Sequence, residues 1–110
     1  MAEEAEVDVE TTTAAGPPRR TTIWIVVAGG RPYVASVRGP RGRWYRELLA
    51  HPRGLLHVAG RRVEILARPA PEVADQVAAA LRAKYAGDPS LTAMLTADVL
   101  ATTLRLDLVL

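Results

Sequence analysis

Ser36, Arg38, Arg41, Arg43, Trp44, Tyr45 and Arg46 crowd into one short stretch that also carries Gly39, Pro40 and Gly42. If Val34 to Arg38 is a strand, its period of two puts Ser36 and Arg38 on one face. A tight Gly39-Pro40 loop then returns Arg43 and the start of a short helix towards them. A hydroxyl, guanidinium groups and the free N–H groups of a helix start, converging in one place, make a site for a phosphate or a carboxylate. Trp44 and Tyr45 could stack on a flat heteroaromatic ring or on nucleic-acid bases. For Tyr45, anchoring of the short helix to the core is the simpler reading. Arg41 and Arg46 read as surface charges or as partners for acidic residues elsewhere.

Other chemistries lack their residues. The chain has no cysteine, which excludes disulfides, thiolate nucleophiles, iron–sulfur clusters and cysteine-bound zinc. Its two histidines, His51 and His57, fit no standard ligand spacing together with Glu47, so no metal site is expected. His51, just before Pro52, reads as a helix C-terminal residue near the last carbonyls. No nucleophile-elbow pattern surrounds Ser36 or Ser90. Phosphate-loop and dinucleotide fingerprints are missing. A Schiff-base role for Lys84 would need burial, and this residue sits late in an amphipathic helix. No catalytic side chain is assigned.

Charge is strongly segregated. Residues 1–18 hold five acids and no base. Residues 19–68 hold eleven arginines against Glu47 and Glu64, a balance of +9. Such a segment wants anionic company, either a ligand or the acidic N-terminus itself. At 110 residues the chain has room for one domain, which buries only about two thirds of its unfolded surface, so a dimer interface would help. The longest strongly apolar run, Ile23 to Ala28, is far short of the ~20 residues a membrane span needs. The acidic N-terminus has no signal-peptide pattern, and the expectation is a soluble cytoplasmic protein.

The elements that must position these residues follow from periodicity. Residues 1–20 are expected to be an acidic, disordered or loosely attached tail, and residues 21–110 the folded domain. Thr22 to Ala28 reads as a strand covered on both sides. Gly29-Gly30 turns it into a second strand, Pro32 to Arg38. Arg43 to Ala50 reads as a short helix with Tyr45, Leu48 and Leu49 inward. Leu55 to Ala59 and Arg62 to Ala67 form a second hairpin around Gly60-Arg61. Glu72 to Tyr85 is a helix, with Val73, Val77, Ala80, Leu81 and Lys84 or Tyr85 at helical spacing. Ser90 is placed to cap a further short segment from Leu91 to about Leu95. Thr102 to Leu110 alternates as a half-buried strand. Two hairpins, no long crossover and a closing strand point to a small antiparallel barrel with helices at its rim.

The progression Ile23-Trp24-Ile25-Val26, Tyr33-Val34-Ala35-Ser36-Val37-Arg38-Gly39 and Gly42-Arg43-Trp44-Tyr45-Arg46 resembles the split-barrel flavin-binding superfamily. So do Leu48-Leu49-Ala50-His51-Pro52, Val58-Ala59-Gly60, Ala83-Lys84-Tyr85 and Thr103-Leu104-Arg105-Leu106. That superfamily holds pyridoxamine-phosphate-oxidase-like proteins and deazaflavin-dependent nitroreductases, and the chain is most similar to its short uncharacterised bacterial members. The resemblance covers residues 21–108. It implies an α+β fold, a six-stranded antiparallel split β-barrel with one main helix and one or two short ones. It also implies a homodimer with FMN or deazaflavin in a cleft at the subunit interface. The cofactor-phosphate positions of such proteins match Ser36, Arg38, Arg43 and Trp44. This chain departs from the pattern around the short helix, where many deazaflavin-type relatives carry asparagines and it has Glu47 and His51. A carboxylate brought next to a phosphate would repel it.

Three functions follow. The leading one is a flavin- or deazaflavin-dependent oxidoreductase that moves hydride to or from a small organic substrate and needs no protein nucleophile. The alternative is a cofactor-free binding protein or pocket enzyme on the same barrel. Nucleic-acid binding through the basic segment ranks last, because overall charge is modest and no nucleic-acid module is present.

Overall fold

The alternation near the chain end is realised as a strand in which Leu104 and Leu106 are buried while Arg105 and Asp107 are half-buried. It belongs to a computed structural model that describes residues 3–109. Leu110, placed in that strand by the sequence pattern, lies outside the described residues. In chain order the strands are β1 (Val7–Thr11), β2 (Arg19–Ile23), β3 (Val26–Ala28), β4 (Arg31–Val34), β5 (Arg53–Val58), β6 (Arg61–Pro69) and β7 (Leu104–Leu108). Helix α1 (Arg43–Ala50) joins β4 to β5. Helices α2 (Ala74–Lys84), α3 (Leu91–Met94) and α4 (Ala97–Leu100) fill the connection from β6 to β7.

All pairings are antiparallel, in the order β2-β1-β5-β6-β7-β4-β3. Strands β2 and β3 thus lie at opposite edges, yet only Trp24 and Ile25 separate them in sequence. The sheet must curl until its edges approach, which makes a barrel split at that seam. The fold is the expected α+β split barrel, with seven strands rather than six. Residues 7–11, expected in a loose tail, form β1, which pairs with β2 from Val7↔Ile23 to Thr11↔Arg19 and with β5 through Asp8↔His57. The run read as one strand from Thr22 to Ala28 is broken at Trp24-Ile25.

The break leaves backbone groups of Ile25 off the ladder, and the end of α2 supplies their partners. The Ile25 N–H donates to Tyr85 Oη at 3.2 Å, and Lys84 Nζ donates to the Ile25 carbonyl at 2.6 Å. The Tyr85 hydroxyl proton has two acceptors in reach, Ala5 O at 2.6 Å and Ile25 O at 3.1 Å. Burial raises the Tyr85 pKa above its ordinary value, so the hydroxyl keeps the proton it donates. The Lys84-Tyr85 pair therefore has a structural role at the seam, as a buried backbone polar group requires.

Two cores result. Inside the barrel Val9, Leu56, Ile65, Leu104 and Leu106 pack around Trp44 and Leu48 of α1. Outside it, Val26 and Tyr33 meet Val77, Leu81, Met94 and Val99 of α2 to α4. Helix α1 has the expected bounds, but its buried stripe is Trp44 and Leu48, with Tyr45 half-buried and Leu49 exposed. Four-residue spacing puts Trp44 and Leu48 on one face, so the inner face lies one residue earlier than read. The β5–β6 turn is Ala59-Gly60, both at positive φ (50° and 75°), and Val58 pairs with Arg61. It is a two-residue turn with two left-handed positions, which shifts the expected Gly60-Arg61 pair back by one. Ser90 makes no capping bond to α3. Helix α4 has no counterpart in the sequence reading and is capped by Thr96, whose Oγ1 accepts from the Val99 N–H at 3.3 Å.

Candidate functional site

Strand β4 stops at Val34 because its partner β7 begins at Leu104, the last rung being Val34↔Leu104. Beyond it, the Ser36 N–H donates to Thr102 Oγ1 at 2.8 Å instead of to a strand. The Gly39 N–H closes back onto the Ser36 carbonyl at 2.8 Å, and a 3-10 turn over Gly39–Arg41 leads into α1. The expected strand from Val34 to Arg38 is thereby corrected. Arg38 has φ −87° and ψ 6° and is exposed, whereas Ser36 is 1% exposed. Strand parity does not bring them together; the turn does.

Ser36, Arg38, Arg43 and Trp44 all line one cleft of about 630 Å³. Arg19, Thr21, Ile23 and Trp24 of β2 and the segment after it also line it, as do Glu6, Ser90 and Met94. The start of α1 opens here. The Gly42 carbonyl accepts the Arg46 N–H at 3.0 Å, so the N–H groups of Arg43, Trp44 and Tyr45 precede the helical ladder. Gly42 is the N-cap, and no side chain caps the helix. A Cβ at Gly42 would overlap Ser36 Oγ, so glycine here lets the hydroxyl sit against the helix start. That hydroxyl is buried and has no hydrogen-bond partner among the described residues. A buried polar atom left unpaired is costly, and this one sits against Gly42 at the start of α1, in a residue that lines the cleft together with Arg38 and Arg43.

Glu47 does not line the cleft. Its carboxylate takes two bonds from Arg19, Nε at 3.2 Å and Nη2 at 2.9 Å, and one from Thr11 Oγ1 at 2.7 Å. Burial alone would push its pKa up, but these bonds and the charges of Arg19 and Arg43 outweigh it and hold the pKa below the ordinary value. The repulsion expected from Glu47 is thus reduced by its pairing with Arg19.

Trp44 is buried in the inner core, edge-on to Tyr45 with ring centroids 6.4 Å apart. The more exposed aromatic surface in the cleft is Trp24, half-buried and stacked on Tyr85 at 3.8 Å and 5°. In sequence Trp24 reads only as part of a strand covered on both sides and Arg19 as part of the N-terminal tail, so neither stands out as a site residue. The signal for Arg19 lay in Arg19-Arg20-Thr21-Thr22, which continues the strand pattern of Ile23 backwards.

Arg41 and Arg46 are exposed. His51 caps the end of α1 through its N–H, which donates to the Glu47 carbonyl at 2.8 Å. His57 Nε2 lies 2.9 Å from Glu10 Oε1. Among the described residues, no group of three or more potential ligands could hold a metal ion. No helix among them is long and apolar enough to cross a membrane.

The profile of a family described as "uncharacterized protein conserved in bacteria (DUF2255)" matches residues 1–106. Among curated proteins, none matches the chain in sequence. Solved structures do match. An F420 reductase is 17% identical, with 96% of this chain and 87% of that one covered and a TM-score of 0.63. A pyridoxamine 5′-phosphate oxidase-like protein from Listeria innocua is 10% identical over 97% of this chain and 84% of that one, TM-score 0.61. HutZ, a haem storage protein from Vibrio cholerae, is 17% identical over 96% of this chain and 81% of that one, TM-score 0.64. At these identities the likeness is one of fold.

Proposed function

The chain belongs to the bacterial DUF2255 family and has the split-barrel fold of the flavin- and deazaflavin-binding superfamily, and on that premise we propose that its cleft binds FMN or a deazaflavin through the cofactor phosphate. The observation that carries this reading is the unpartnered, buried Ser36 hydroxyl at the start of α1. An anion seated there accepts from Ser36 Oγ and from the N–H groups of Arg43 to Tyr45, with the helix dipole in its favour. Arg38 and Arg43 add charge-assisted bonds from the rim. Trp44 takes part through its backbone N–H, while its ring holds the helix in the barrel.

The protein is then an oxidoreductase. A bound flavin or deazaflavin supplies the hydride chemistry for a small organic substrate. The protein fixes the phosphate, offers Trp24 as a flat wall and excludes water from the inner end of the cleft. Homodimerisation completes the proposal, since the cleft runs beside β2, an edge strand whose outer side has no partner among the described residues. Haem suits the site less well. Haem iron takes His, Cys, Met or Tyr as axial ligand, and among the described residues Met94 alone of these lines the cleft.

The test is a titration of the purified protein with FMN and, separately, with a deazaflavin cofactor, followed by absorbance and fluorescence. Saturable binding of at least one is expected, weakened about tenfold, or ~1.4 kcal/mol, by Arg43→Ala. Binding of neither at millimolar concentration overturns the reading and leaves a cofactor-free pocket on the same barrel.

A further inference from the structure

Arg19 has a geometry unlike that of the other cleft arginines. It stands on β2 and lines the cleft, and its side chain is 33% exposed. Two of its five N–H donors are spent on the Glu47 carboxylate in a fork, Nε to Oε2 and Nη2 to Oε1. Glu47 is itself braced by the buried Thr11 hydroxyl and sits on α1. A guanidinium pinned along one edge keeps its remaining N–H groups on the opposite edge, in a fixed plane. Those groups have no acceptor among the described residues. The pair also ties the edge strand β2 to α1, the helix whose start forms the anion site.

We propose that Arg19 is a further anion-contacting residue of this cleft and that Glu47 is its positioning residue. The inference rests on the phosphate-binding reading above and extends it to the β2 wall. The ligand anion is then held from two sides, by the α1 start with Ser36 and by the free edge of the Arg19 fork. Glu47 thus favours anion binding by fixing a donor, although its own charge opposes it. The two effects of Glu47 have opposite signs, so removal of its charge distinguishes them.

The experiment titrates the full chain with FMN and with inorganic pyrophosphate, a probe that carries no ring, by calorimetry at two salt concentrations. Wild type is compared with Arg19→Lys, Glu47→Gln and Arg43→Ala, and thermal melts verify that each variant is folded. Arg19→Lys keeps the charge and loses the fork, and is expected to weaken both ligands about tenfold. Glu47→Gln makes the site more positive, yet is expected to weaken both ligands several-fold by freeing the guanidinium. Tighter or unchanged binding in Glu47→Gln, with wild-type affinity in Arg19→Lys, overturns the inference. If Arg43→Ala still weakens binding in that case, the phosphate site itself stands. If the wild type binds neither ligand, the phosphate reading falls and this inference falls with it.

Discussion

At the residue scale the site depends on Ser36 and Gly42 together. Ser36 Oγ is buried without a partner, so Ser36→Ala removes an unsatisfied group and is expected to leave the melting temperature unchanged or raised. The same substitution should weaken cofactor binding about tenfold, a split between stability and affinity that fits a ligand contact. Gly42→Ala sets a methyl group onto that oxygen, and should lower both the melting temperature and the affinity. In the double variant Ser36→Ala/Gly42→Ala the stability loss should partly recover, because the clashing oxygen is gone. Calorimetric melts and FMN titrations check all three; a Ser36→Ala protein that binds as tightly as wild type would remove Ser36 from the site. The sequence pointed to Ser36, Arg38, Arg43 and Trp44, and the structure gathers all four at one cleft. The route was different. A turn stabilised by the Gly39 N–H and the Thr102 hydroxyl does what strand parity was expected to do, and such non-local bonds leave no periodic signal.

At the element scale most of the chain was legible. The bounds of α1, and the presence though not the bounds of the two hairpins and the last strand, follow from residue spacing and turn residues. Strand β1 is hidden in the sequence because its acidic composition reads as disorder, although Val7, Val9 and Thr11 alternate with Asp8 and Glu10. The acids face outward, where Asp8 meets Arg20 and Thr22, and Glu10 meets His57. The seam between β2 and β3 was not visible either, since Trp24 and Ile25 are as strand-prone as their neighbours. Its cost falls on Tyr85. Tyr85→Phe keeps the ring stacked on Trp24 but strands the Ile25 N–H, and should destabilise the protein by about 1–3 kcal/mol. A melting temperature equal to wild type would mean that the seam finds its hydrogen bonds elsewhere.

At the scale of the whole molecule part of the segregated charge is paired within the fold. Basic residues of the central segment pair with acids across strands, in Arg20–Asp8, Arg53–Glu64 and Arg68–Asp107. Among the described residues Arg38, Arg41, Arg43 and Arg46 take part in no ion pair within 4.0 Å, and these four surround the start of α1. Arg31, Arg61, Arg62 and Arg82 are likewise exposed and outside any such pair. The unpaired positive charge is therefore shared between the start of α1 and other parts of the surface, and of these arginines Arg38 and Arg43 line the cleft. The central claim is that a cofactor phosphate seats at the α1 start, and backbone amide NMR spectra recorded during titration with FMN and with a deazaflavin test it most directly. The account predicts saturable changes that are largest at the N–H groups of Arg43, Trp44 and Tyr45 and at Ser36. Saturable binding with its largest changes elsewhere, or no binding of either cofactor, would contradict it.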